Sequence, residues 1–268
     1  MASLDIFTVL LLIFAGCFSG FSAGLLGIGG GVVIVSAFVY IFSWKFGASE
    51  FLQHTAVGTS FAVMVFTGLV NVFAQNKSKN VDWNLVKKFA PFLILGVIVG
   101  SIFSLGISEK VLRFLFVIFL YFTAIKMYLD MPQNHTVRDK ILRSTGFFIG
   151  LFSSWVGIGG GAFMVPFFRY CGNSAHSAIG TSGVLTFPVA VAGAISYLST
   201  GLQVDNSIPN TVGFVYLPGL IILSLCTIFT VPFGSFVKTK ISQKALQILF
   251  AVMSFSIAIL MTIKMFNL

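Results

Sequence analysis

The sequence predicts an all-α integral membrane protein of about ten transmembrane helices, built as two inverted five-helix repeats with helices broken at glycine-rich motifs. Three observations support this prediction: a low charge content, long uncharged runs and a duplicated set of motifs. Only 9% of the 268 residues are charged and 57% are hydrophobic, whereas a soluble domain contains about 25% charged residues. Uncharged runs cover residues 51–76, 170–204 and 206–237, and a helix crossing a ~30 Å hydrocarbon core needs about 20 such residues.

The pattern inside these runs favours helices over a β-barrel, because lipid-facing barrel strands alternate apolar and polar residues and these runs do not. The lipid bilayer is therefore the first expected partner.

The net charge of +9 would suggest nucleic acid in a soluble protein. In a membrane protein it is explained by Lys and Arg in cytoplasmic loops, so no nucleic acid is expected. The three cysteines form no CxxC pair, and neither a metal site nor a cofactor is predicted.

The chain repeats itself in three blocks that follow the same order in both halves. GIGGG at residues 27–31 recurs at 157–161, an offset of 130. HTAVGTS at 54–60 recurs as HSAIGTS at 176–182, and GS with ISEK at 100–110 recurs as GS with ISQK at 234–244. The predicted units are therefore a first five-helix repeat at 1–131, a cytoplasmic linker at 132–140 and a second five-helix repeat at 141–268.

Each half contains five apolar segments, bounded by glycine runs or by charged and polar stretches. In each half the glycine run separates the first segment from the second, and polar stretches separate the second, third, fourth and fifth segments from one another. The predicted spans are 7–26, 31–42, 51–73, 86–103 and 111–128 in the first half, and 142–156, 161–170, 177–198, 214–237 and 245–265 in the second. The second segment of each half is short, so it is either a true crossing or a re-entrant hairpin.

The distribution of basic residues distinguishes these two topologies. With ten crossings, one side keeps only Lys45, Lys110, Arg113 and Lys264, and the other collects the remaining 12 of the 16 basic residues. With eight crossings the split is nine against seven. The positive-inside rule favours ten crossings, with both termini outside and the linker cytoplasmic. Five crossings per half then invert the second half, a construction common among secondary transporters.

The glycine runs are the first candidate site. Glycine costs up to ~1 kcal/mol per residue in helix propensity, and it frees the backbone to approach a partner or ligand. Close helix packing through small residues is the alternative explanation. Because each run precedes a short segment, and unwound backbone in a membrane is tolerated only inside protein or along a polar cavity, the duplication favours a site.

The Gly-Thr-Ser blocks are the second part of this candidate site. Free N–H groups at a helix start, together with hydroxyl donors, can hold an anion without a formal positive charge. Ser and Thr that bond back to helix carbonyls are the alternative. The candidate substrate-binding residues are Gly27, Gly29, Gly30, Gly31, Gly58, Thr59, Ser60, Gly157, Gly159, Gly160, Gly161, Gly180, Thr181 and Ser182.

Other polar residues are candidates for the path to this site. His54 and His176 precede the Gly-Thr-Ser blocks and would face opposite sides of the membrane, so each is a candidate entrance or gating residue, or an ordinary interfacial histidine. Asn71 and Tyr197 either line a path or make interhelical hydrogen bonds.

No Asp or Glu falls in the middle of a predicted span, which disfavours a carboxylate proton relay. The sequence contains no HExxH motif and no pair of intramembrane aspartates, so the chain is not expected to be an enzyme.

The two glycine runs, with Gly24-Leu25-Leu26 before the first and Trp155-Val156 before the second, resemble the twin signature of the sulfite exporter TauE/SafE family. The resemblance extends to the Gly-Thr-Ser blocks and covers nearly the whole chain. It implies a plasma membrane permease that exports sulfite or a small organosulfonate. The sequence departs from the family at Ser36, where proline is common, and at Ser154-Trp155. Trp155 is therefore a further gating candidate, since its bulk would narrow the cavity.

The predicted function is export of a small anion, such as sulfite, an organosulfonate or another oxyanion, across the plasma membrane. An anion channel is the first alternative, and a membrane scaffold or sensor that uses the glycine runs only for packing is the second. The sequence leaves open which anion is carried, and it is compatible with a homo-oligomer.

Overall fold

The computed structural model describes residues 5–27, 29–46, 51–129, 138–205 and 208–266. These residues form ten α-helices and one short β-hairpin. The helices are α1 (Ile6–Leu26), α2 (Gly31–Phe46), α3 (Leu52–Lys77), α4 (Trp83–Ser104), α5 (Glu109–Leu129), α6 (Asp139–Val156), α7 (Gly161–Tyr170), α8 (Ala175–Gly201), α9 (Leu217–Lys238) and α10 (Gln243–Phe266), and strands β1 (Thr211–Val212) and β2 (Val215–Tyr216) precede α9. Most of the predicted linker, 132–140, lies outside the described residues, as does Ile28.

The predicted all-α class is confirmed, and six of the described helices are long and apolar enough to cross a membrane. These are α1, α3, α4, α8, α9 and the segment Lys244–Ile263 of α10. Polar residues fix several starts: the Asp5 carboxylate accepts from the Thr8 N–H, and the Asp82 carboxylate accepts from the N–H groups of Asn84 and Leu85. Such caps satisfy backbone donors that the first helical turn leaves without partners.

The start of α9 was predicted incorrectly. The prediction placed Phe214 in the helix, but the structure puts it in the turn of the β-hairpin and begins α9 at Leu217. Gly213, in the turn, adopts a positive φ angle of 56°, and Asn210, just before β1, adopts one of 60°. Pro218 then stands at the start of the helix, where its missing N–H has no cost. The continuous apolar composition of this region concealed the turn.

Helices α1 and α2 form a hairpin, in which the start of α1 lies beside the end of α2. Lys45 Nζ, near the end of α2, is 2.7 Å from the carboxylate of Asp5, which precedes α1. The rings of Phe7 and Trp44 also meet, with centroids 5.8 Å apart. The ammonium group of Lys45 holds the pKa of the Asp5 carboxyl well below its usual range. This end of the bundle is called the Asp5 end.

Helices α6 and α7 form a second hairpin that opens at the other end of the bundle. Lys88, near the start of α4, lies 3.2 Å from Asp139 at the start of α6. The neighbouring Phe89 packs edge-on against Phe168 near the end of α7, with centroids 5.2 Å apart. The starts of α4 and α6 and the end of α7 therefore share one end, called the Asp139 end.

Between the two hairpins, α3 and α8 cross the bundle as an antiparallel pair. A Cβ added at Gly68 of α3 would lie 2.8 Å from Phe187 Cα, and one at Gly193 of α8 would lie 2.6 Å from the ring of Phe61. Later positions of α3 thus face earlier positions of α8. These two helices are matched by the sequence repeat, so this corresponding pair of helices runs in opposite directions.

Glycines also let each hairpin pack closely along a helix of the other half. In α1, a Cβ at Gly24 would lie 2.1 Å from the Val231 carbonyl oxygen of α9. In the matching pair, a Cβ at Gly150 of α6 would lie 2.1 Å from the Leu93 carbonyl oxygen of α4. Small residues allow this close backbone approach between helices in membranes. Each half is therefore packed into the other along its length.

Candidate functional site

The candidate site begins with the two breaks, defined as residues 27–31, which end with the first residue of α2, and residues 157–161, which end with the first residue of α7. In each break three glycines have positive φ angles, a conformation that residues with a side chain rarely adopt. The angles are 69° at Gly27, 71° at Gly29, 76° at Gly30, 74° at Gly157, 23° at Gly159 and 74° at Gly160. The repeated glycine pattern therefore encodes two chain reversals with positive φ angles at the same three positions.

The two breaks touch each other in the middle of the bundle. A Cβ on Gly31 would lie 2.4 Å from the Gly157 carbonyl oxygen and 2.9 Å from Ile158 Cα. A Cβ at Gly29 would lie 2.6 Å from Thr186 Cγ2 and 3.1 Å from Met64 Sδ, and one at Gly159 would lie 2.8 and 3.1 Å from these same atoms.

The two side chains that both breaks face, Met64 and Thr186, occupy matching positions in the sequence repeat. Met64 is close to the midpoint of α3, which covers Leu52–Lys77, and Thr186 is close to the midpoint of α8, which covers Ala175–Gly201. Both side chains are fully buried. The meeting point of the breaks is therefore at half depth along the central helix pair.

The serines of the Gly-Thr-Ser blocks hold the breaks across the boundary between the halves. The Ser60 hydroxyl of α3 donates to the Gly157 carbonyl at 2.9 Å. The Ser182 hydroxyl of α8 lies 3.2 Å from the Gly27 carbonyl and 3.1 Å from the Ile179 carbonyl. Each half thus uses its serine to fix the break of the other half.

The threonines make a second pair of contacts between the halves. Thr59 Oγ1 donates to the Thr55 carbonyl at 2.7 Å and accepts from the Tyr216 N–H at 2.9 Å. Thr181 Oγ1 accepts from the Asp82 N–H at 3.0 Å. Tyr216 and Asp82 immediately precede α9 and α4, so the threonines position the starts of these helices.

The glycines of these blocks permit the same approach. A Cβ at Gly58 would lie 2.5 Å from the Phe214 carbonyl oxygen, and one at Gly180 would lie 2.4 Å from the Asn80 carbonyl oxygen. Each Gly-Thr-Ser block therefore joins the two halves at three successive residues. Its serine hydroxyls donate to carbonyl groups here, and direct contact of these residues with a substrate stays a prediction.

A matched pair of substitutions in α8 tests this joining role. Gly180→Ala is expected to lower the thermal unfolding midpoint in detergent, because overpacking typically costs about 1–3 kcal/mol. Gly183→Ala should leave the midpoint unchanged or raise it, since its Cβ would meet its nearest neighbour, Gln75 Cγ, at an ordinary 3.5 Å and glycine is a poor helix former. Equal midpoints for the two variants would contradict the proposed contact at Gly180.

The two histidines lie near opposite ends of the bundle, because they stand near the starts of antiparallel helices. His54 is 2% exposed, its Nε2 is 3.0 Å from the Ser104 carbonyl, and its ring packs on Phe51 and Phe214. His176 is half-buried. Gln53, which directly precedes His54, is also buried, and its side-chain amide has no hydrogen-bond partner within the described part of the chain. An entrance role for either histidine stays a prediction.

Trp155 packs toward α4 at the end of α6. Its indole N–H donates to the Gly100 carbonyl at 2.8 Å, and its ring meets Phe152 edge-on. The contacts of this side chain therefore join α6 to α4. A role for Trp155 in narrowing the cavity stays a prediction.

Sequence reasoning missed a polar cluster at the Asp139 end. Lys238 was counted among the basic residues of the cytoplasmic side, but the structure buries its side chain completely, with the ammonium group donating to Gln75 Oε1. The Gln75 amide lies 3.3 Å from the Gly24 carbonyl and 3.2 Å from the Ser235 hydroxyl. In the third repeat block, position 238 corresponds to position 104, so a charged lysine stands where the first half has the neutral Ser104. This difference is the signal in the sequence that could have revealed the cluster.

The fold and the site together define a class. A bundle of apolar helices, duplicated within one chain and broken at glycines that meet at its centre, is an architecture common among membrane transporters. The sequence profile of the sulfite exporter TauE/SafE family matches residues 12–261. The chain belongs to this family, which is a family of membrane transporters and not a class of enzymes.

Individual relatives agree with this assignment. A probable membrane transporter protein of Haemophilus influenzae is 32% identical over 260 residues, covering 96% of this chain and 98% of its own. A probable membrane transporter protein of Methanocaldococcus jannaschii is 29% identical and covers 89% of this chain and 90% of its own. The protein YunE of Bacillus subtilis, also described as a probable membrane transporter, is 24% identical over 71% of this chain and 78% of its own. No solved structure matches the chain significantly.

Proposed function

We propose that this protein is a plasma membrane permease that exports a small anion, sulfite or an organosulfonate, from a site between the two breaks. The observation that carries the proposal is the contact of the breaks, Gly31 against Gly157, at the midpoint of the antiparallel pair α3 and α8. Secondary transporters bind substrates at such repeat interfaces, between helices interrupted near the bilayer midplane.

The proposed topology is that of ten crossings in two inverted repeats, 1–131 and 141–268, with both termini outside. It is supported by the Lys45–Asp5 pair, because the eight-crossing alternative would place the start of α1 and the end of α2 on opposite faces. The ten residues of α7 span ~15 Å, about half of a ~30 Å hydrocarbon core. This length fits a helix that runs from the meeting breaks to the Asp139 end, so α7 is counted among the ten only as the returning arm of its hairpin with α6, and the sides assigned to the other helices are unchanged.

The preference for an anion follows from the helix starts at the breaks. The first turns of α2 and α7 leave backbone N–H groups without helical partners and carry the positive ends of the helix dipoles. Such helix starts bind oxyanions, and the description of the family as sulfite exporters names one. An inside-negative membrane potential would itself drive export, by ~2.3 kcal/mol per charge per 100 mV.

A permease is favoured over a channel because backbone atoms of the two breaks are in contact where a continuous pore would have to pass. Exchange in proteoliposomes tests this choice. Labelled sulfite is expected to enter vesicles in a saturable manner and faster when they are loaded with unlabelled sulfite. A channel would give flux that neither saturates nor exchanges, and a scaffold would give the flux of empty liposomes. Either result would contradict the proposal.

A further inference from the structure

The buried ammonium group of Lys238 has no acidic counterpart in the part of the chain that the structure describes. Ion pairs among those residues are Lys45 with Asp5 and Lys88 with Asp139. Lys238 instead donates to the amide oxygen of Gln75, which is also fully buried. A charge held away from water by a neutral group alone is destabilising, since hydrogen bonding replaces only part of its hydration.

The groups around this cation are polar, neutral and capable of donating hydrogen bonds. Gln75 Nε2 is 3.2 Å from Ser235 Oγ and 3.5 Å from Asn71 Oδ1, and the Asn71 amide donates to the Ala23 carbonyl at 3.4 Å. An ammonium group, an amide N–H₂ and a hydroxyl converge here from α3 and α9, and in this structure the amide and the hydroxyl both donate to the Gly24 carbonyl, at 3.3 and 3.4 Å. This donor set suits an oxyanion and does not suit a cation.

The cluster is continuous with the first break. A Cβ at Gly183 would lie 3.5 Å from Gln75 Cγ and 3.8 Å from Asn71 Cγ. The preceding residue, Ser182, bonds to the Gly27 carbonyl. Gly24, whose carbonyl accepts from Gln75, lies one turn before the break. An anion beside Lys238 would therefore lie next to the proposed central site, on the side of the Asp139 end.

The other half shows that packing alone does not require the cation. The sequence repeat pairs Lys238 with Ser104, Gln75 with Tyr197 and Gly24 with Ser154. There the Tyr197 hydroxyl donates to the Ser154 carbonyl at 2.8 Å, so neutral side chains make the equivalent helix contact. The cation is thus a feature of only one of the two matched clusters.

We propose that Lys238, Gln75 and Ser235 form a loading subsite for the anionic substrate, a small oxyanion such as sulfite. The inference rests on the proposed function, in which the Asp139 end is cytoplasmic. The substrate supplies the negative charge that the described residues do not place beside Lys238. It binds there when the cytoplasmic side opens and moves on to the breaks, and the matched cluster at the Asp5 end, with its neutral residues, holds it less tightly on release.

Binding of sulfite to the purified full-length protein tests the subsite. Lys238→Met is expected to raise the Kd by about tenfold to a hundredfold, the effect of losing one hydrogen bond to a charged group. Lys238→Gln, which keeps a polar head group without the charge, should give the same loss if the methionine variant folds poorly. Lys240→Met is the matched control, because Lys240 is exposed and two residues away, and its Kd should equal that of the wild type.

The possible outcomes separate the two proposals. If the wild type binds and exchanges sulfite, and the Lys238 variants bind it with unchanged Kd, the subsite is wrong and the proposed function stands. If the Lys240 variant loses as much affinity as the Lys238 variants, general surface charge explains the effect and the subsite is also wrong. If the wild type neither binds nor exchanges sulfite or an organosulfonate, the proposed function fails and the subsite fails with it.

Discussion

Replacing Gly31 with alanine is expected to reduce sulfite exchange in proteoliposomes to the level of empty vesicles. The added Cβ would lie 2.4 Å from the Gly157 carbonyl oxygen and 2.9 Å from Ile158 Cα, both backbone atoms of the other break. Backbone in a packed interior cannot yield as a flexible side chain can. The two breaks must therefore separate, and the site proposed between them loses its geometry.

This substitution tests the close approach of the two breaks without adding backbone strain. Gly31 is absent from the glycines with positive φ, so alanine can adopt its helical conformation at the start of α2. Gly106→Ala is the matched control, since its Cβ would meet only the Phe103 carbonyl oxygen, at 3.6 Å. The control should exchange sulfite at the wild-type rate. Wild-type exchange by the Gly31 variant, with normal amounts of folded protein, would show that the contact of the breaks is not needed for transport.

The helices could be predicted because the bilayer imposes a simple rule on sequence. Each span must be long, apolar and uncharged, so the interval between polar residues reveals it. The β-hairpin before α9 could not be found this way, because Phe214, Val215 and Tyr216 continue the apolar composition although the chain turns. Composition predicts which residues avoid water and does not predict where an apolar segment changes direction.

The residues of the candidate site were selected from the sequence, but their contacts could not be predicted from it. The glycine runs and the Gly-Thr-Ser blocks were selected because they are duplicated, and the structure brings them together. That Ser60 holds Gly157, and that Ser182 holds Gly27, could not be read from sequence. Such bonds join residues about 100 or more positions apart in the chain, across the boundary between the halves. Only the packing of the two halves brings these residues into contact.

Lys238 was missed for a different reason. The positive-inside rule counts basic residues near helix ends as loop residues, and Lys238 is the last residue of α9. The rule describes averages over many loops, so it cannot identify a lysine that turns inward to a buried amide. Comparison of the repeats was more informative, because it set Lys238 against the neutral Ser104.

The whole account depends on the second half entering the membrane upside down relative to the first. Single cysteines introduced into a chain without Cys17, Cys171 and Cys226 test this orientation with a membrane-impermeant maleimide on intact cells. Suitable exposed positions are Lys88 and Lys240 at the Asp139 end, and Lys110 and Leu202 at the Asp5 end. We expect cysteines at 110 and 202 to be labelled from outside, and cysteines at 88 and 240 to be labelled only after the cells are opened. Labelling of 88 and 240 from opposite faces, as eight crossings require, would contradict the inverted arrangement.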